Sequence, residues 1–257
     1  MKFITIKEQD SIELLPLSDL HLGSETCNLR KIHSVLNYIT SNPNVRVVLL
    51  GDLLESAIIG SKGNPYKAKS IDEEIRLAVS VLKPIRDRII GVVSGNHENR
   101  ISKSVGLDIL SLLMRKLNLE RFYSPDFLVL KVSLPKTAWY LVLHHGIGGG
   151  RLKGGKINNL HRFGNIFPNA DIILTGHTHD FIITADQKYI IDRKHSRIRF
   201  HKTYYINVPS FSMEYGGYGS AQAYPPSVNG TVKIELPNIP NATKRSFNLK
   251  IEHLTFE

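Results

Sequence analysis

The sequence predicts an α/β fold with largely parallel central strands. Two observations support this prediction: short apolar runs of strand character alternate with segments of helical periodicity, and a polar cluster follows each of five such runs. The 257 residues are enough for one large α/β domain or for two small ones. No clear linker or internal repeat separates the two halves of the chain.

The first two predicted units each consist of a strand and a following helix. Residues 12–17 form an apolar strand-like run, after which apolar side chains recur at helical spacing at Leu29, Ile32, Val35, Leu36 and Ile39. Residues 45–50 form the second run. Ser70, with Glu73 three residues later, is a capping-box signal for a helix that extends to about Leu82.

Three more strand-like runs complete the alternating part of the chain. Residues 89–93 precede a helix predicted from about Gly106 to Leu117, and the next runs are residues 139–143 and 172–174. From about residue 181 the chain is predicted to be mainly β. Strands are expected there near residues 182–191, 197–207, 231–236 and 247–254.

Each of the five apolar runs ends in residues that can bind metals. These residues are Asp19, His21, Asp52, Asn96, His145, His177 and His179. Since ligands bind at the carboxyl ends of strands in open α/β sheets, we expect the five clusters to converge. In extended backbone, a two-residue step would place Asp19 and His21 on one side, and likewise His177 and His179, so that each pair can hold one site.

The types of these side chains indicate a site for more than one divalent cation. The two carboxylate oxygens of Asp52 can bridge two cations, and the amide oxygen of Asn96 adds a ligand without adding charge. The imidazoles suit Mn, Fe, Zn or Ni.

Together, these motifs resemble those of the calcineurin-like metallophosphoesterase superfamily. The motifs occur in the family order as Asp19-Leu20-His21, Gly51-Asp52, Gly95-Asn96-His97-Glu98, His145-Gly146 and Gly176-His177-Thr178-His179. The resemblance covers most of the first 180 residues. It implies a four-layer sandwich of two mixed β-sheets flanked by helices. The β-rich part from about residue 181 would then belong to a single domain of residues 1–257.

The resemblance also implies a dinuclear site. One metal would be held by Asp19, His21, Asp52 and His179, and the other by Asp52, Asn96, His145 and His177. We expect two divalent cations, Mn first, with Fe, Zn or Ni as alternatives. Such a pair polarises the phosphoryl group and supplies a metal-activated hydroxide as nucleophile. The resemblance points to His97, which is not assigned to a metal, as the general acid that protonates the leaving group.

Three neighbouring residues keep two interpretations each. His144 is expected to support packing or the ligands, since adjacent strand residues point to opposite faces. Glu55 either orients the Asp52 motif or is an ordinary charge at the start of a loop. Glu98 either holds His97 in one tautomer or caps the backbone, and we leave it outside the site.

The charge balance favours a phosphate-rich substrate. The formal net charge is +10, and Lys62, Lys67 and Lys69 surround Tyr66. Residues 150–156 fit the opening of a phosphate-binding P-loop, but Ile157 occupies the position that needs Ser or Thr. We therefore exclude a nucleoside-triphosphatase site. Residues 146–156 are interpreted either as a cationic loop in which Arg151, Lys153 or Lys156 reaches the substrate, or as a solvated loop.

Differences from the branches of the superfamily narrow the function in part. Asp52 is followed by Leu53-Leu54-Glu55-Ser56 where Ser/Thr protein phosphatases have Asp-Arg-Gly, so that activity is disfavoured. Gly95-Asn96-His97 replaces the Gly-Asn-Arg motif common in lipid-precursor hydrolases, which slightly favours the nuclease-like branch. A phosphodiesterase or nuclease is the first choice. A small-molecule or nucleotide phosphomonoesterase and a non-catalytic binding module are the alternatives.

The sequence also bears on location. No apolar run approaches the roughly 20 residues that cross a bilayer, so we expect no membrane span. The start of the chain lacks the pattern of a secretory signal. A single cysteine, Cys27, cannot form an internal disulfide, and we therefore expect a cytoplasmic protein.

Overall fold

The computed structural model describes residues 1–61, 65–148, 152–193, 195–213, 226, 228–240, 244 and 248–256. These residues form twelve strands and five α-helices. The strands are β1 (Lys2–Lys7), β2 (Ile12–Leu17), β3 (Val45–Leu49), β4 (Ile89–Val93), β5 (Tyr123–Ser124), β6 (Leu128–Ser133), β7 (Ala138–Leu143), β8 (Ile172–Thr175), β9 (Ile182–Asp192), β10 (Arg197–Asn207), β11 (Thr231–Leu236) and β12 (Ile251–Leu254). The helices are α1 (Leu29–Ser41), α2 (Ile71–Leu82), α3 (Asn96–Val105), α4 (Ile109–Leu117) and α5 (Lys153–Ile166).

The strands form two mixed sheets of six strands each. The first sheet has the order β1-β6-β7-β8-β10-β9, and the second has the order β12-β11-β2-β3-β4-β5. In the second sheet β2, β3, β4 and β5 run parallel, and in the first sheet β7, β8 and β10 run parallel. The carboxyl ends of neighbouring strands therefore lie at one edge of each sheet.

Three apolar clusters hold the layers together. Side chains such as Leu14 and Val48 of the second sheet pack against Leu130 and Leu141 of the first. The outer face of the second sheet is covered by α1 to α4, and the outer face of the first by α5, whose Phe163 packs in a third cluster. The result is four layers, helices-sheet-sheet-helix, which confirms the predicted α/β sandwich.

The helix predicted from about Gly106 to Leu117 is shorter than expected and is preceded by another helix. Gly106 has a φ of 70° and ends α3, and the Asp108 side chain then caps α4 by accepting a hydrogen bond from the Ser111 N–H. The Asn96 motif therefore opens a helix that the sequence did not predict. The capping box at Ser70, by contrast, is present as predicted.

The segment 146–156 is not a loop throughout, because α5 begins at Lys153. At the C-terminus, the strand predicted over residues 247–254 is observed as Ile251–Leu254, and residue 247 lies outside the described part of the chain. β1 and β6, which were not predicted, pair in parallel along all six residues of each strand. Among the described helices, none has the length and apolar character that crossing a membrane requires.

Candidate metal centre

The five polar clusters meet at one end of the two sheets. Loops after β2 and β3 of the second sheet carry Asp19, His21 and Asp52, and Asn96 opens α3 after β4. Loops after β7 and β8 of the first sheet carry His145, His177 and His179. Contacts join the two groups, since Nε2 of His179 lies 3.2 Å from Asp19 Oδ1 and Nε2 of His145 lies 3.1 Å from Asp52 Oδ2. The candidate centre therefore lies on the boundary between the sheets.

Backbone conformation at the centre differs from the extended one that the spacing suggested. Five of the seven predicted ligands have a positive φ, at Asp19 (52°), His21 (46°), Asp52 (49°), His177 (70°) and His179 (52°). Left-handed backbone costs non-glycine residues about 1–3 kcal/mol each and is concentrated at functional sites. The expectation of extended backbone is wrong at Asp19, His21, His177 and His179. His177 and His179, moreover, do not share one site, because the two side chains lie in different clusters.

Two glycines make room for carboxylates from neighbouring loops. A Cβ on Gly95 would lie 2.1 Å from Asp52 Oδ1, and a Cβ on Gly176 would lie 2.6 Å from Asp19 Oδ2. Both distances are shorter than any allowed contact, so each position requires glycine. The glycines that precede the Asn96 and His177 motifs thus have a steric cause.

The first cluster brings together Asp19, His21 and His179. Asp19 Oδ1 is 3.2 Å from Nε2 of His179 and 3.8 Å from Nε2 of His21, and the two imidazole nitrogens are 3.3 Å apart. The other oxygen of Asp19 accepts hydrogen bonds from the Ser18 hydroxyl and from the His177 N–H. Oδ1 is buried and receives no hydrogen bond of good geometry from the described residues.

The second cluster brings together Asp52, His145 and His177. Nε2 of His145 lies 3.1 Å from Asp52 Oδ2 and 3.0 Å from Asn96 Oδ1, and the rings of His145 and His177 are 5.0 Å apart. Asp52 Oδ1 accepts the backbone N–H of His97 at 2.8 Å, so Oδ2 is the oxygen that faces the cluster.

Hydrogen bonds at Nδ1 of His21 and of His145, on the side away from the centre, determine which nitrogen atom of each ring faces the centre. Nδ1 of His21 lies 3.0 Å from Glu55 Oε2, and Nδ1 of His145 lies 2.7 Å from the carbonyl of Leu50. Because both partners are acceptors, Nδ1 carries the proton in each neutral ring, and Nε2 turns a lone pair to the centre. The Nε2 lone pairs and the carboxylate oxygens then face one another with no hydrogen-bond donor between them. A divalent cation fits this donor set.

The electrostatics of the centre favour positive charge. Burial lowers the pKa of His21, but the hydrogen bond to Glu55 and the charge of Asp52 raise it to about 9. Burial also lowers the pKa of His145, but Asp52 raises it to about 10. Conversely, burial raises the pKa of Asp52, yet His145 holds it well below its usual range. Protons and divalent cations would therefore compete for the same nitrogen atoms.

His97 lies beside the centre with one nitrogen anchored. Nδ1 is 2.7 Å from the carbonyl of Glu55, and Nε2 is 3.8 Å from Asp52 Oδ2. Burial and the neighbouring charge of His21 lower the pKa of His97 to about 4. The ring is therefore neutral at neutral pH, with the Nε2 lone pair turned toward the centre.

The two glutamates that the sequence left undecided both support the centre. Glu55 anchors His21 through its carboxylate and His97 through its carbonyl. Glu98 does not hold His97. Its buried carboxylate accepts hydrogen bonds from the N–H groups of Asp52, Leu53, Leu54 and Gly95. Glu98 thus caps the start of α3, which confirms the backbone-cap interpretation, and it also fixes the loop carrying Asp52, which only its acidic type in the Gly-Asn-His-Glu motif could have indicated.

The remaining predicted residues have different surroundings. His144 packs against Phe127 and Phe163 and accepts the Gly146 N–H, as the packing interpretation expected. Lys153 is exposed at the start of α5. Lys156 is buried, and its Nζ lies 2.5 Å from Asp180 Oδ2 and donates to the carbonyl of Thr178.

Lys156 therefore ties α5 to the loop that carries His177 and His179. Arg151, the third predicted contact to substrate, lies outside the described residues.

The fold and the site define a class of metal-dependent hydrolases of phosphoric esters. Residues 14–181 match the model of the family described as calcineurin-like phosphoesterase, and the chain belongs to this family. The family acts on phosphate esters with divalent metals, and the two His and Asp clusters described above are candidate positions for them. No curated protein sequence matches the chain.

Several solved structures are similar to this chain at low sequence identity. GAP50, the anchor in the inner membrane complex of Plasmodium, has a TM-score of 0.50 and 10% identity, over 96% of this chain and 85% of that chain. A predicted phosphoesterase from Streptococcus pneumoniae has a TM-score of 0.40 and 16% identity, over 96% and 91%. The Pseudomonas putida nuclease MPE has a TM-score of 0.34 and 12% identity, over 86% and 82%. The likeness to GAP50 concerns the fold alone.

Proposed function

We propose that this family member is a phosphodiesterase that accepts nucleic acid and holds two divalent cations. The observation that carries the dinuclear site is the position of Asp52. Its Oδ2 is 3.1 Å from Nε2 of His145 in one cluster, and Asp52 also forms a cluster with His21 and His97 on the other side. A carboxylate between two sets of lone pairs can be shared by two cations.

The proposed ligands are those that the resemblance implied. Asp19, His21, Asp52 and His179 would hold one cation, and Asp52, Asn96, His145 and His177 would hold the other. Mn is the first choice for both, with Fe, Zn or Ni as alternatives. When bound, two cations polarise a phosphoryl group and activate the attacking water.

In the proposed reaction, His97 would donate the proton that the leaving group needs. Its Nδ1 is fixed by the carbonyl of Glu55, so Nε2 is the atom that can exchange a proton at the centre. A negatively charged phosphate ester beside Nε2 would favour the protonated ring. The imidazolium can then donate that proton to the leaving oxygen as the ester bond breaks.

The preference for a polyanion is supported by a lysine-bearing segment next to the centre. The backbone N–H of Lys69 donates to the carbonyl of Gly23 at 3.0 Å, which holds residues 65–70 against the loop that carries His21. Tyr66 is 89% exposed in this segment, and the net charge of the chain is +10. Cations beside an exposed aromatic ring suit a nucleic-acid strand, since phosphates and bases are both engaged.

We also propose that residues 1–257 act as a single catalytic domain in the cytoplasm. Strands β9 to β12 join both sheets, so the β-rich C-terminal part builds the same sandwich. The single Cys27 is buried and would remain a thiol in a reducing compartment.

A panel of metals and substrates tests this function. The purified protein would be loaded separately with Mn, Ni, Zn or Fe and assayed on a monoester, a small diester and an oligonucleotide. We expect hydrolysis of the diester and the oligonucleotide with at least one metal. Asp52→Asn should lose both cations and nearly all turnover, as measured by metal analysis, while circular dichroism stays unchanged. Asp87→Asn, at an exposed surface residue, is the matched control.

Salt dependence then separates nucleic acid from small substrates. Changing Lys67 and Lys69 together to Ala should flatten the dependence of oligonucleotide cleavage on salt, by roughly 0.7 in log-log slope for each phosphate that the variant no longer neutralises. Activity on the small diester should persist. Lys136→Ala, at the opposite end of β7, is the control. Efficient monoester hydrolysis without oligonucleotide cleavage under any metal would instead assign the chain to small-molecule phosphatases.

A further inference from the structure

Arg100 lies on the same face of α3 as His97. The two residues are three positions apart, a spacing that makes side chains neighbours on the surface of a helix. α3 begins at Asn96, a proposed ligand, so its N-terminus lies at the metal centre. The Cα of Arg100 is about 4.5 Å further along the helix axis than that of His97. Arg100 therefore follows His97 on the side away from the centre.

Two consecutive carbonyls of the loop after β3 hold these two side chains. The carbonyl of Glu55 lies 2.7 Å from Nδ1 of His97, and the carbonyl of Ser56 accepts a hydrogen bond from Nη1 of Arg100 at 3.2 Å. Ser56 is buried, has a φ of 47°, and donates its N–H to Oε2 of Glu74 at 2.9 Å. The guanidinium is therefore held beside the proposed general acid by a loop that is itself fixed.

The charge of Arg100 has no counter-ion in the described part of the chain. No described carboxylate forms an ion pair with it, and its hydrogen bond to Ser56 occupies Nη1 alone. The neighbouring carboxylate of Glu55 is hydrogen-bonded to His21 instead. Since the side chain of Arg100 is partly exposed, Nε and Nη2 remain as donors for a ligand.

Another arginine of the chain shows how this pair of donors binds an anion. Nε and Nη2 of Arg46 donate to the two carboxylate oxygens of Glu8, at 2.6 and 2.7 Å. Two parallel hydrogen bonds of this kind suit carboxylates and phosphates, because the donors of the guanidinium match the spacing of the oxygens. At Arg100 the same two donors lack such a partner, so an anion from outside the chain fits this position.

We propose that Arg100 binds a phosphate group that is carried by the leaving group of the substrate. This inference rests on the proposed phosphodiesterase function, in which His97 protonates the leaving oxygen. Because Arg100 lies beyond His97, its anion is a second one on the leaving side and not the phosphoryl group at the cations. A nucleic-acid strand meets this requirement, since each of its internal nucleosides carries a further phosphate.

A purely structural role of Arg100 predicts a different result. If the guanidinium served only to tie α3 to the loop through Ser56, its removal would impair every substrate to the same extent. Binding of a second phosphate instead predicts a loss that is largest for substrates whose leaving group carries that phosphate. Substrates that differ only in a terminal phosphate distinguish the two roles.

Three thymidine dinucleotides supply this comparison: one without a terminal phosphate, one with a phosphate at the 5′ end and one with a phosphate at the 3′ end. Product analysis shows which nucleoside departs from the central phosphate, and hence which terminal phosphate the leaving group carries. For that dinucleotide, the parent protein should have a kcat/KM about tenfold or more above that for the dinucleotide without terminal phosphate. A terminal phosphate on the other nucleoside should not give this preference.

Substitution of Arg100 then tests the assignment. Arg100→Gln should abolish most of the preference, and Arg100→Lys should retain part of it, because lysine keeps the charge without the paired donors. Arg115→Gln, at an exposed residue of α4, is the matched control and should keep the preference. Metal content and circular dichroism should stay unchanged in all three variants, which separates this effect from damage to the centre.

The outcomes distinguish this inference from the proposed function. No preference in the parent protein, an unchanged preference in Arg100→Gln, or an equal loss on all three dinucleotides would overturn the role of Arg100 and leave the phosphodiesterase function in place. Failure of the parent protein to hydrolyse any of the dinucleotides, with every metal of the panel, would reject both.

Discussion

The carboxylate of Glu55 accepts a hydrogen bond from Nδ1 of His21 at 3.0 Å. This contact leaves Nε2 of the ring as the atom that faces Asp19. The carbonyl of the same glutamate lies 2.7 Å from Nδ1 of His97. One residue therefore orients both a proposed ligand and the proposed general acid, through two different groups.

Removal of this carboxylate should weaken metal binding without removing a ligand. Glu55→Ala frees the His21 ring, and we expect metal affinity to fall about 10–100-fold, as is typical when a metal-binding imidazole is deprived of its hydrogen-bond acceptor. Titration against a chelator of known affinity measures the change. Glu120→Ala, at an exposed residue, serves as the control. Equal affinities for Glu55→Ala and the unaltered protein would contradict the role of Glu55.

His97→Ala should separate metal binding from proton transfer. The variant should keep most of its metal, since His97 is not a proposed ligand, but lose turnover on esters with poor leaving groups. Activated aryl phosphates should suffer less, because their leaving groups need little protonation. Steady-state rates on a series of leaving groups measure the difference. An equal loss across the series would show that His97 positions phosphate instead.

Glu98→Gln should destabilise the fold. The carboxylate accepts hydrogen bonds from Gly95 and from three successive N–H groups that begin at Asp52, and an amide offers only one oxygen to them. Leaving buried donors unsatisfied costs about 1–3 kcal/mol in the free energy of unfolding. Urea denaturation measures this cost, with Glu120→Gln as a control. Stability within experimental error of the parent would mean that these donors find other partners.

Glu74 should make stability depend on pH. Burial raises the pKa of its carboxyl to about 8, while the hydrogen bond from the Ser56 N–H acts in the opposite direction. The unfolded chain ionises near the ordinary value of 4.5, so the folded state holds an extra proton between about pH 4.5 and 8. The contribution of Glu74 to the free energy of unfolding is therefore complete below pH 4.5 and is lost as the pH rises to about 8.

Glu74→Gln has no such proton to lose. The free energy of unfolding of the variant, relative to the parent, should increase as the pH rises through this range. Denaturation curves at pH 5, 6.5 and 8 measure the difference. A difference that stays constant with pH would place the ionisation of Glu74 in its usual range.

The sequence predicted the positions that converge but not how the backbone brings them together. The motifs at Asp19, Asp52 and His177 follow apolar runs, and such runs allow the ends of strands to be predicted. The left-handed backbone of these residues could not be predicted, because it depends on contacts between loops from different strands, such as the hydrogen bond from the His177 N–H to Asp19. The same holds for Glu98, whose partners in the Asp52 loop are 44 to 46 residues away along the chain.

Elements stabilised by distant contacts were also missed. α5 contains Gly154, Gly155 and several polar residues and has little periodicity, so its helical structure depends on packing of Leu160 and Phe163 against the first sheet. β1 is exposed at alternate positions and is fixed by pairing with β6, more than 100 residues away. By contrast, the Ser70 capping box is a local signal, and it was predicted correctly.

The division of the proposed ligands between the two sheets has a thermodynamic consequence. Asp19, His21, Asp52 and Asn96 follow strands of one sheet, and His145, His177 and His179 follow strands of the other. A cation bound by both groups would be a cross-link between the halves of the sandwich, in addition to their apolar contacts and to hydrogen bonds such as that from the His177 N–H to Asp19. Folding and cation binding are then linked equilibria, and each tenfold rise in free cation above its dissociation constant should add about 1.4 kcal/mol to the free energy of unfolding. The availability of the metal to the cell would thus regulate how long the folded chain persists as well as how fast it works.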